Sequence, residues 1–459
     1  MENPRGKFLK TGDPKELKTE ELLSVLLGSG TSKINVFDLS SQIVKFLRAN
    51  KKDHITIEDL EQFDGIGKVK AMQILSALEL GRRYYYPENN QLPNDDWDFA
   101  NLKQSERQYG VHFFHHYTAK FIPQIPARII RRYTTGNNMV VDPFMGSGTT
   151  LVEAKMLGCN SFGLDTNPMA IKIAKAKMLK IDDQKVEEIN NFIDWLELNK
   201  KAKGSTSWGI SGSKLFNGSE LWFREDVASK INLILSKSKN YSPEIRNFIE
   251  VGLSTLLKGM SNARMDSVIP VLPNKPIYLD RKHYYREVNN LTRKIPVFRR
   301  VLSQIRRMKF AILEFNKETD HKLICEPTLG DARQLQDFIG YCDLVVTSPP
   351  YWSAQNYEKI HMLSMKLFDL NIERGQEIGR DENSYLSDMK LVFQQIANIL
   401  HGHFAIVIGH DNRRETHEKL FQIIKEIGFI HVDTITRRIS NQVSRAKQIK
   451  NEYIFIFKI

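Results

Sequence analysis

VVDPFMGSGTT, Val140–Thr150, is the stretch on which the reading of this 459-residue chain turns. A β-branched run ends in Asp142-Pro143, Gly146 and Gly148 bracket Ser147, and Thr149 and Thr150 open the apolar run that starts at Leu151. That order predicts a strand, a tight glycine turn and a helix start. Glycine suits a turn where backbone must take positive φ or approach a ligand, and a helix start beside it offers unpaired N–H groups. The spacing lacks the third glycine of a dinucleotide fingerprint and the lysine of a phosphate-binding loop, so phosphate cradling is disfavoured. Alone, the stretch is either a nucleotide-like pocket of unknown ligand or a plain structural turn.

Working outward, Ser161–Asp165 predicts a second strand, and its terminal carboxylate stands 23 residues after Asp142. Asp165 can accept hydrogen bonds from both hydroxyls of a ribose. Asp165 or Asn167, ahead of Pro168, can equally cap the next helix. Upstream, the aromatic and histidine-rich His112–Phe121 is expected against the same pocket, with Lys120 and Phe121 near the ligand. No carboxylate stands at a suitable spacing from His112, His115 and His116, so no metal site is expected there.

Far downstream lies a second marked stretch. Asp343–Thr347 predicts a buried parallel strand, and Ser348-Pro349-Pro350-Tyr351 leaves it rigidly at the end where ligands bind in open α/β sheets. Pro349 has no N–H, but its fixed carbonyl can accept from an exocyclic amine. Ser348 can bond the same amine, and Tyr351 can stack on a planar base. Before it, Gly330–Arg333 forms a turn that sets Asp331 at the pocket rim. After it, strands at Phe404–Gly409, His431–Ile439 and Glu452–Lys458 are expected, the last two as an antiparallel closing hairpin.

Charge points the same way. Sixty-six lysines and arginines against 54 acids give a net charge of +12, which favours an anionic partner. Arg281–Arg307 carries Arg281, Lys282, Arg286, Arg299 and Arg300 among aromatics, with Glu287 the sole acid. That suits phosphate contacts and stacking, though a solvated helix face has the same composition. Arg264, in the polar run Ser261–Asp266, is expected near the site. Three scattered cysteines, no apolar run long enough for a membrane and no apolar N-terminal leader predict a reduced, cytoplasmic setting.

At the N-terminus, helical patterns flank Gly65-Ile66-Gly67. Two glycines beside a helix start can hold one phosphate of a duplex without reading bases, and Lys68 and Lys70 add positive charge. A purely structural joint remains the alternative. The polar, proline-containing Tyr86–Asp96 marks a boundary.

The pair Asp142–Thr150 and Thr347–Tyr351 resembles the amino-group DNA methyltransferases, over roughly residues 104–182 and 327–459. Residues 15–85 are similar to the helical N-terminal domain of RadC-like proteins, a helix–hairpin–helix element. The resemblance implies a Rossmann-like α/β sheet with a C-terminal antiparallel hairpin, plus an all-helical N-terminal domain and a mostly helical insertion. The expected domains are 1–90, 91–182, an inserted target-recognition region at 183–326, and 327–459. S-adenosyl-L-methionine is the implied cofactor. Asp142, Phe144, Gly146 and Gly148 would line its methionine side, Asp165 would take its ribose, and Asp331 would lie by its adenine. Pro143, Ser147, Thr149 and Asn167 complete that set, and His116–Pro123 would be a cofactor-lining segment.

The implied partner is double-stranded DNA, with a separate restriction endonuclease as a family expectation. Ser348, Pro349, Pro350 and Tyr351 would hold a flipped base. Serine at this position favours N4 of cytosine over N6 of adenine. Asn356 stands where the family usually has aspartate. The absence of a catalytic cysteine beside a proline disfavours methylation at C5 of cytosine. An RNA enzyme, such as a tRNA guanine-N2 methyltransferase, and a non-catalytic DNA-binding protein are the remaining alternatives.

Overall fold

The computed structural model describes residues 4–11, 17–31, 34–49, 56–83, 97–99, 102, 106–117, 122–200, 214–264, 267–272, 294–350, 357–372, 378–379, 381–409, 415–438 and 451–459. The chain divides into two compact units, Met1–Asp96 and Trp97–Ile459.

The first unit contains helices α1 (Pro4–Thr11), α2 (Thr19–Leu27), α3 (Val36–Ala49), α4 (Ile57–Glu61) and α5 (Lys68–Arg83). Its core is small: Leu23, Leu27, Leu39, Ile43, Val44, Leu60, Ile66, Ala71 and Ile74. A capping box fixes the start of α4, where Thr56 accepts from the Asp59 N–H and Asp59 accepts from the Thr56 N–H. Gly65, at φ +92°, turns the chain toward α5.

The second unit is built on a seven-stranded sheet. Its strands are β1 (Met139–Asp142), β2 (Asn160–Asp165), β3 (Cys325–Leu329), β4 (Cys342–Thr347), β5 (Leu400–Gly409), β6 (Ile430–Arg438) and β7 (Asn451–Lys458). They lie in the order β3-β2-β1-β4-β5-β7-β6. The first five are parallel, and β7 runs antiparallel between β5 and β6. The central strands β1 and β4 read as nearly continuous apolar runs because both of their faces are covered. The edge strand β6 alternates exposed and half-buried residues instead, as an edge requires.

The helices of this unit are α6 (Gln124–Tyr133), α7 (Thr149–Met156), α8 (Pro168–Lys177), α9 (Asp183–Lys200), α10 (Ser219–Trp222), α11 (Glu225–Ser238), α12 (Pro243–Ser254), α13 (Leu257–Met260), α14 (Val297–Glu318), α15 (Tyr357–Ile360), α16 (Met362–Leu367), α17 (Glu382–Ile399) and α18 (Thr416–Ile427). Val141, Phe162, Leu164, Val345, Phe404, Ile406 and Phe457 pack with α17 and α18 in one core. A second core joins α7 and α8 to α9, α11, α12 and α14. The inserted helices therefore do not form a lobe with a core of their own. Their buried residues belong to the core that carries the helix after the glycine turn. Among the described residues no helix is long and apolar enough to cross a membrane.

Candidate active site

β1 and β4 are adjacent and parallel, with Val140 beside Leu344 and Val141 beside Val345. The glycine turn and Ser348-Pro349 consequently leave the same edge of the sheet from neighbouring strands. Asp142, at the end of β1, is 1% exposed and joins them. Its Oδ1 accepts from Thr347 Oγ1 at 2.6 Å and from the Phe144 N–H at 3.1 Å, and its Oδ2 accepts from Thr150 Oγ1 at 2.6 Å. Burial pushes its carboxyl up to about 6, against the opposing pull of these three donors.

Gly146 and Gly148 stand at φ +51° and +75°. A Cβ on Gly148 would lie 2.9 Å from Ala174 Cβ of α8, so glycine is needed for conformation and for close packing alike. The Gly146 N–H donates to Asp165 Oδ2 at 2.9 Å, and Asp165 Oδ1 accepts from the Asn167 N–H at 2.8 Å. Asn167 Oδ1 in turn accepts from the Met169 N–H at 2.9 Å and caps α8, ahead of Pro168. Capping thus falls to Asn167, while Asp165 braces the turn. Withdrawal from water lifts the Asp165 carboxyl to about 6.

Other expected residues have definite partners. Asp331 caps the short 3-10 turn Ala332–Asp337, and its carboxylate is clasped by the Arg333 guanidinium at 2.6 Å, which also reaches Asp388 at 3.1 Å. His112 Nε2 lies 2.7 Å from Glu153 Oε1, both fully buried behind the turn. Among the described residues no group of three or more His, Cys, Asp or Glu side chains has the geometry of a metal site. Lys120, Phe121, Tyr351, Asn356, Arg281, Lys282 and Arg286 lie outside the described residues.

The expected DNA contacts separate. Arg299 is exposed on α14. Arg300 instead donates to the Gly259 carbonyl at 2.6 Å, tying α14 to α13, so its guanidinium is already engaged by protein. Of the later basic residues on the same helix, Arg306 pairs with Glu197 at 2.6 Å and Arg307 stacks over Phe113 at 4.5 Å. These partners, from α9 and from residue 113, lie far from the two arginines in sequence. The Arg264 N–H donates to the Val271 carbonyl at 2.9 Å. In the first unit Lys68 is exposed, whereas Lys70 Nζ donates to the Ser29 carbonyl at 2.8 Å.

Sequence reasoning missed the pairing of Tyr117 with His361. Their rings stack at 4.8 Å, and a Cβ on Gly146 would lie 3.2 Å from the Tyr117 ring. His361 follows the Ser348–Tyr351 stretch in the chain, so this stack ties the segment after that stretch to the glycine turn. Burial, with help from His116, pulls the His361 ring down to about 4, and it is neutral at pH 7. An aromatic at each position was the only available signal, and nothing in the sequence relates residues so far apart.

A parallel sheet with a closing antiparallel hairpin, a buried-carboxylate glycine turn and a neighbouring strand followed by Ser348-Pro349 define the S-adenosylmethionine-dependent methyltransferase class. The family model described as DNA methylase matches residues 46–176 and 342–458, more than half of the chain, and the protein belongs to that family of amino-group (N4/N6) DNA methyltransferases, whose methyl donor is S-adenosyl-L-methionine. A second model, UPF0758 N-terminal, matches residues 1–72.

The chain is similar to the type II methyltransferase M.MjaII of Methanocaldococcus jannaschii, 23% identical over 450 residues, covering 79% of this chain and 83% of that protein. It is also similar to the type II methyltransferase M.MvaI of Kocuria varians, 24% identical over 328 residues, covering 67% and 69%. Its N-terminal part is similar to a UPF0758 protein of Bacillus licheniformis, 45% identical over 87 residues, covering 18% of this chain and 38% of that protein.

Proposed function

We propose that the protein methylates N4 of a flipped cytosine in duplex DNA, as the modification enzyme of a restriction-modification system. The observation that carries this reading is the Asp142–Thr347 bond, which holds the glycine turn and Ser348-Pro349 at one sheet edge. When bound, S-adenosyl-L-methionine supplies an electrophilic methyl group on sulfur. The turn fits that ligand: a glycine backbone at positive φ and a carboxylate at the end of β2. Gly146, Ser147 and Gly148, with Asp142, Pro143, Phe144 and Thr149, would hold its methionine end. Asp165 would take the ribose hydroxyls, with Asn167 behind it, and the Asp331–Arg333 pair would close the adenine end.

Ser348 is half-buried and Pro349 buried, and the Pro349 carbonyl is followed by Pro350, which has no N–H. Hydrogen bonds from the target amine to Ser348 Oγ and to the Pro349 carbonyl would draw its nitrogen toward tetrahedral geometry and free its lone pair. Positioning of this kind lowers barriers by about 7–11 kcal/mol in favourable cases. The amine proton then leaves to Ser348 or to water. A thiolate route to C5 is disfavoured: Cys342 sits at the far end of β4, and burial beside Asp343 pushes its thiol up to about 12. Tyr351 would stack on the base, and Pro350 would stiffen the loop. Gly67, Lys68 and Arg299 supply non-specific phosphate contacts, and residues 183–326 read the target sequence.

The test is incubation of labelled S-adenosyl-L-methionine with duplex DNA or with tRNA, followed by digestion to nucleosides. Label in N4-methylcytosine is expected. Label in N6-methyladenine would replace cytosine by adenine as the target, and label in tRNA but not in DNA would overturn the reading.

A further inference from the structure

Lys177 is the last residue of α8 and is 0% exposed. Its Nζ donates to the Ser147 carbonyl at 2.7 Å and to Ser147 Oγ at 3.2 Å. Taking an ammonium out of water is costly, and it persists only where partners hold it. Here Ser147, the one residue between the two positive-φ glycines, is such a partner. The Ser147–Gly148 peptide plane turns about ψ of Ser147 and φ of Gly148, and Gly148 has no Cβ to resist a flip. The Ser147–Gly148 peptide is pinned at both ends: its carbonyl by Lys177, and its N–H by the Met145 carbonyl at 2.8 Å.

Helix α8 is placed for this task along its whole length. At its start, Asn167 caps it while bonded to Asp165, which braces Gly146. Near its end, Ala174 is small enough for Gly148 to press against it. Lys177 stands three residues on, on the same face as Ala174. The helix thus links the carboxylate at the end of β2 to the conformation of the turn.

We infer that Lys177 is a positioning residue that locks the Ser147–Gly148 peptide in the one orientation able to receive the cofactor. The inference rests on the reading of this turn as the S-adenosyl-L-methionine site. Lys177 touches no ligand atom in this scheme. Its loss lowers the fraction of molecules with a competent turn, and apparent affinity falls by that fraction. Once the cofactor is bound the turn is held by its ligand, so the chemical step proceeds as before.

The experiment uses the full chain and compares Lys177→Met with Lys155→Met. Lys155 is an equally buried lysine, 2% exposed, at the other end of α7, with its ammonium over the Phe315 ring at 5.4 Å. Calorimetric binding of S-adenosyl-L-methionine, thermal stability, and kcat and KM on duplex DNA are measured for each. Lys177→Met is expected to raise the Kd and KM for the cofactor by about tenfold or more, with kcat at saturation within about twofold. Lys155→Met is expected to leave the cofactor Kd unchanged. Should Lys177→Met fail to fold, Lys177→Gln keeps a donor on a shorter stem and is expected to show the same split in smaller measure. Unchanged affinity in the folded Lys177 variant, or equal losses of affinity in both lysine variants, would overturn the inference alone. No binding of the cofactor by the unaltered protein would overturn the reading of the turn, and the inference with it.

Discussion

Thr347 Oγ1 donates to Asp142 Oδ1 at 2.6 Å, a bond between the last residues of two adjacent parallel strands. Thr347 is 0% exposed, so no water replaces it as a donor. Replacing Thr347 by valine keeps the shape and removes the hydroxyl. The buried carboxylate loses one donor, at a cost of about 1–3 kcal/mol, measurable by urea denaturation. Thr347→Ser should retain most of that stability. Equal stability of the valine and serine variants would show that the bond contributes nothing.

The Asp165 carboxyl, lifted from 3.8 to about 6, gives opposite signs for stability and for ligand binding. Between those pH values the folded state holds a proton that the unfolded chain has released, so this group's contribution to stability falls as pH rises from 3.8 to about 6. Cofactor affinity should move the other way, weakening below pH 6 by at most about tenfold per pH unit for one proton. Asp165→Asn should bind weakly at every pH and flatten that profile. Calorimetry across pH 5 to 8 checks both, within roughly a unit of the midpoint.

Gly148→Ala meets two obstacles, the positive φ and a contact of 2.9 Å with Ala174 Cβ. Together they should cost about 1–3 kcal/mol of stability. Adding Ala174→Gly removes the contact and leaves the backbone strain, so the double variant should recover only part of the loss. Full recovery would mean that φ is not the constraint; no recovery would mean that the contact is not.

Glu153 is fully buried against His112, and burial pushes its carboxyl up to about 8. Its folded-state value lies above the unfolded 4.5, so its contribution is complete below 4.5 and is lost as pH rises to about 8. Glu153→Gln should therefore gain stability relative to the unaltered protein as pH rises, by no more than roughly 1.4 kcal/mol per pH unit. Thermal melts of both proteins at pH 5 and pH 8 provide the comparison. A constant difference would show that the group does not titrate in this window.

Two glycines of the first unit should respond differently. A Cβ on Gly65, at φ +92°, would lie 2.1 Å from Thr31 Cγ2, so Gly65→Ala should unfold this small core. A Cβ on Gly67 meets nothing within 4 Å. Gly67→Val should stay folded and weaken binding to all duplex sequences alike, as read by fluorescence anisotropy. Loss confined to one sequence would count against a phosphate contact.

Much of this was legible from local pattern. The strand before Gly146, the helix after it and the strand before Ser348 each declare themselves within a dozen residues, because a buried parallel strand needs an unbroken apolar run. The partners of side chains were not legible. Asp165 reads as well for a cap as for a ribose, and only the fold separates its bond to Gly146 from the cap supplied by Asn167. The arginines of α14 look uniformly basic in sequence, yet Arg300 donates to a carbonyl of α13 and Arg306 pairs with a carboxylate of α9. Lys177 resembles any other lysine near a helix C-terminus. Its burial follows from where α8 lands on the turn, a fact about tertiary packing that no local window holds.

The sheet order also bears on how the chain acquires its structure. Val140 of β1 pairs with Leu344 of β4, 204 positions later. At synthesis rates of about 5–20 residues per second, β1 waits roughly 10–40 s for its central neighbour. During that interval its apolar edge is open to wrong partners, and such long-range pairing is intrinsically slow. The helices between share one core with α7 and α8, so that part of the unit can pack before β4 is made. Shortening this stretch would thus alter the yield of folded protein during synthesis.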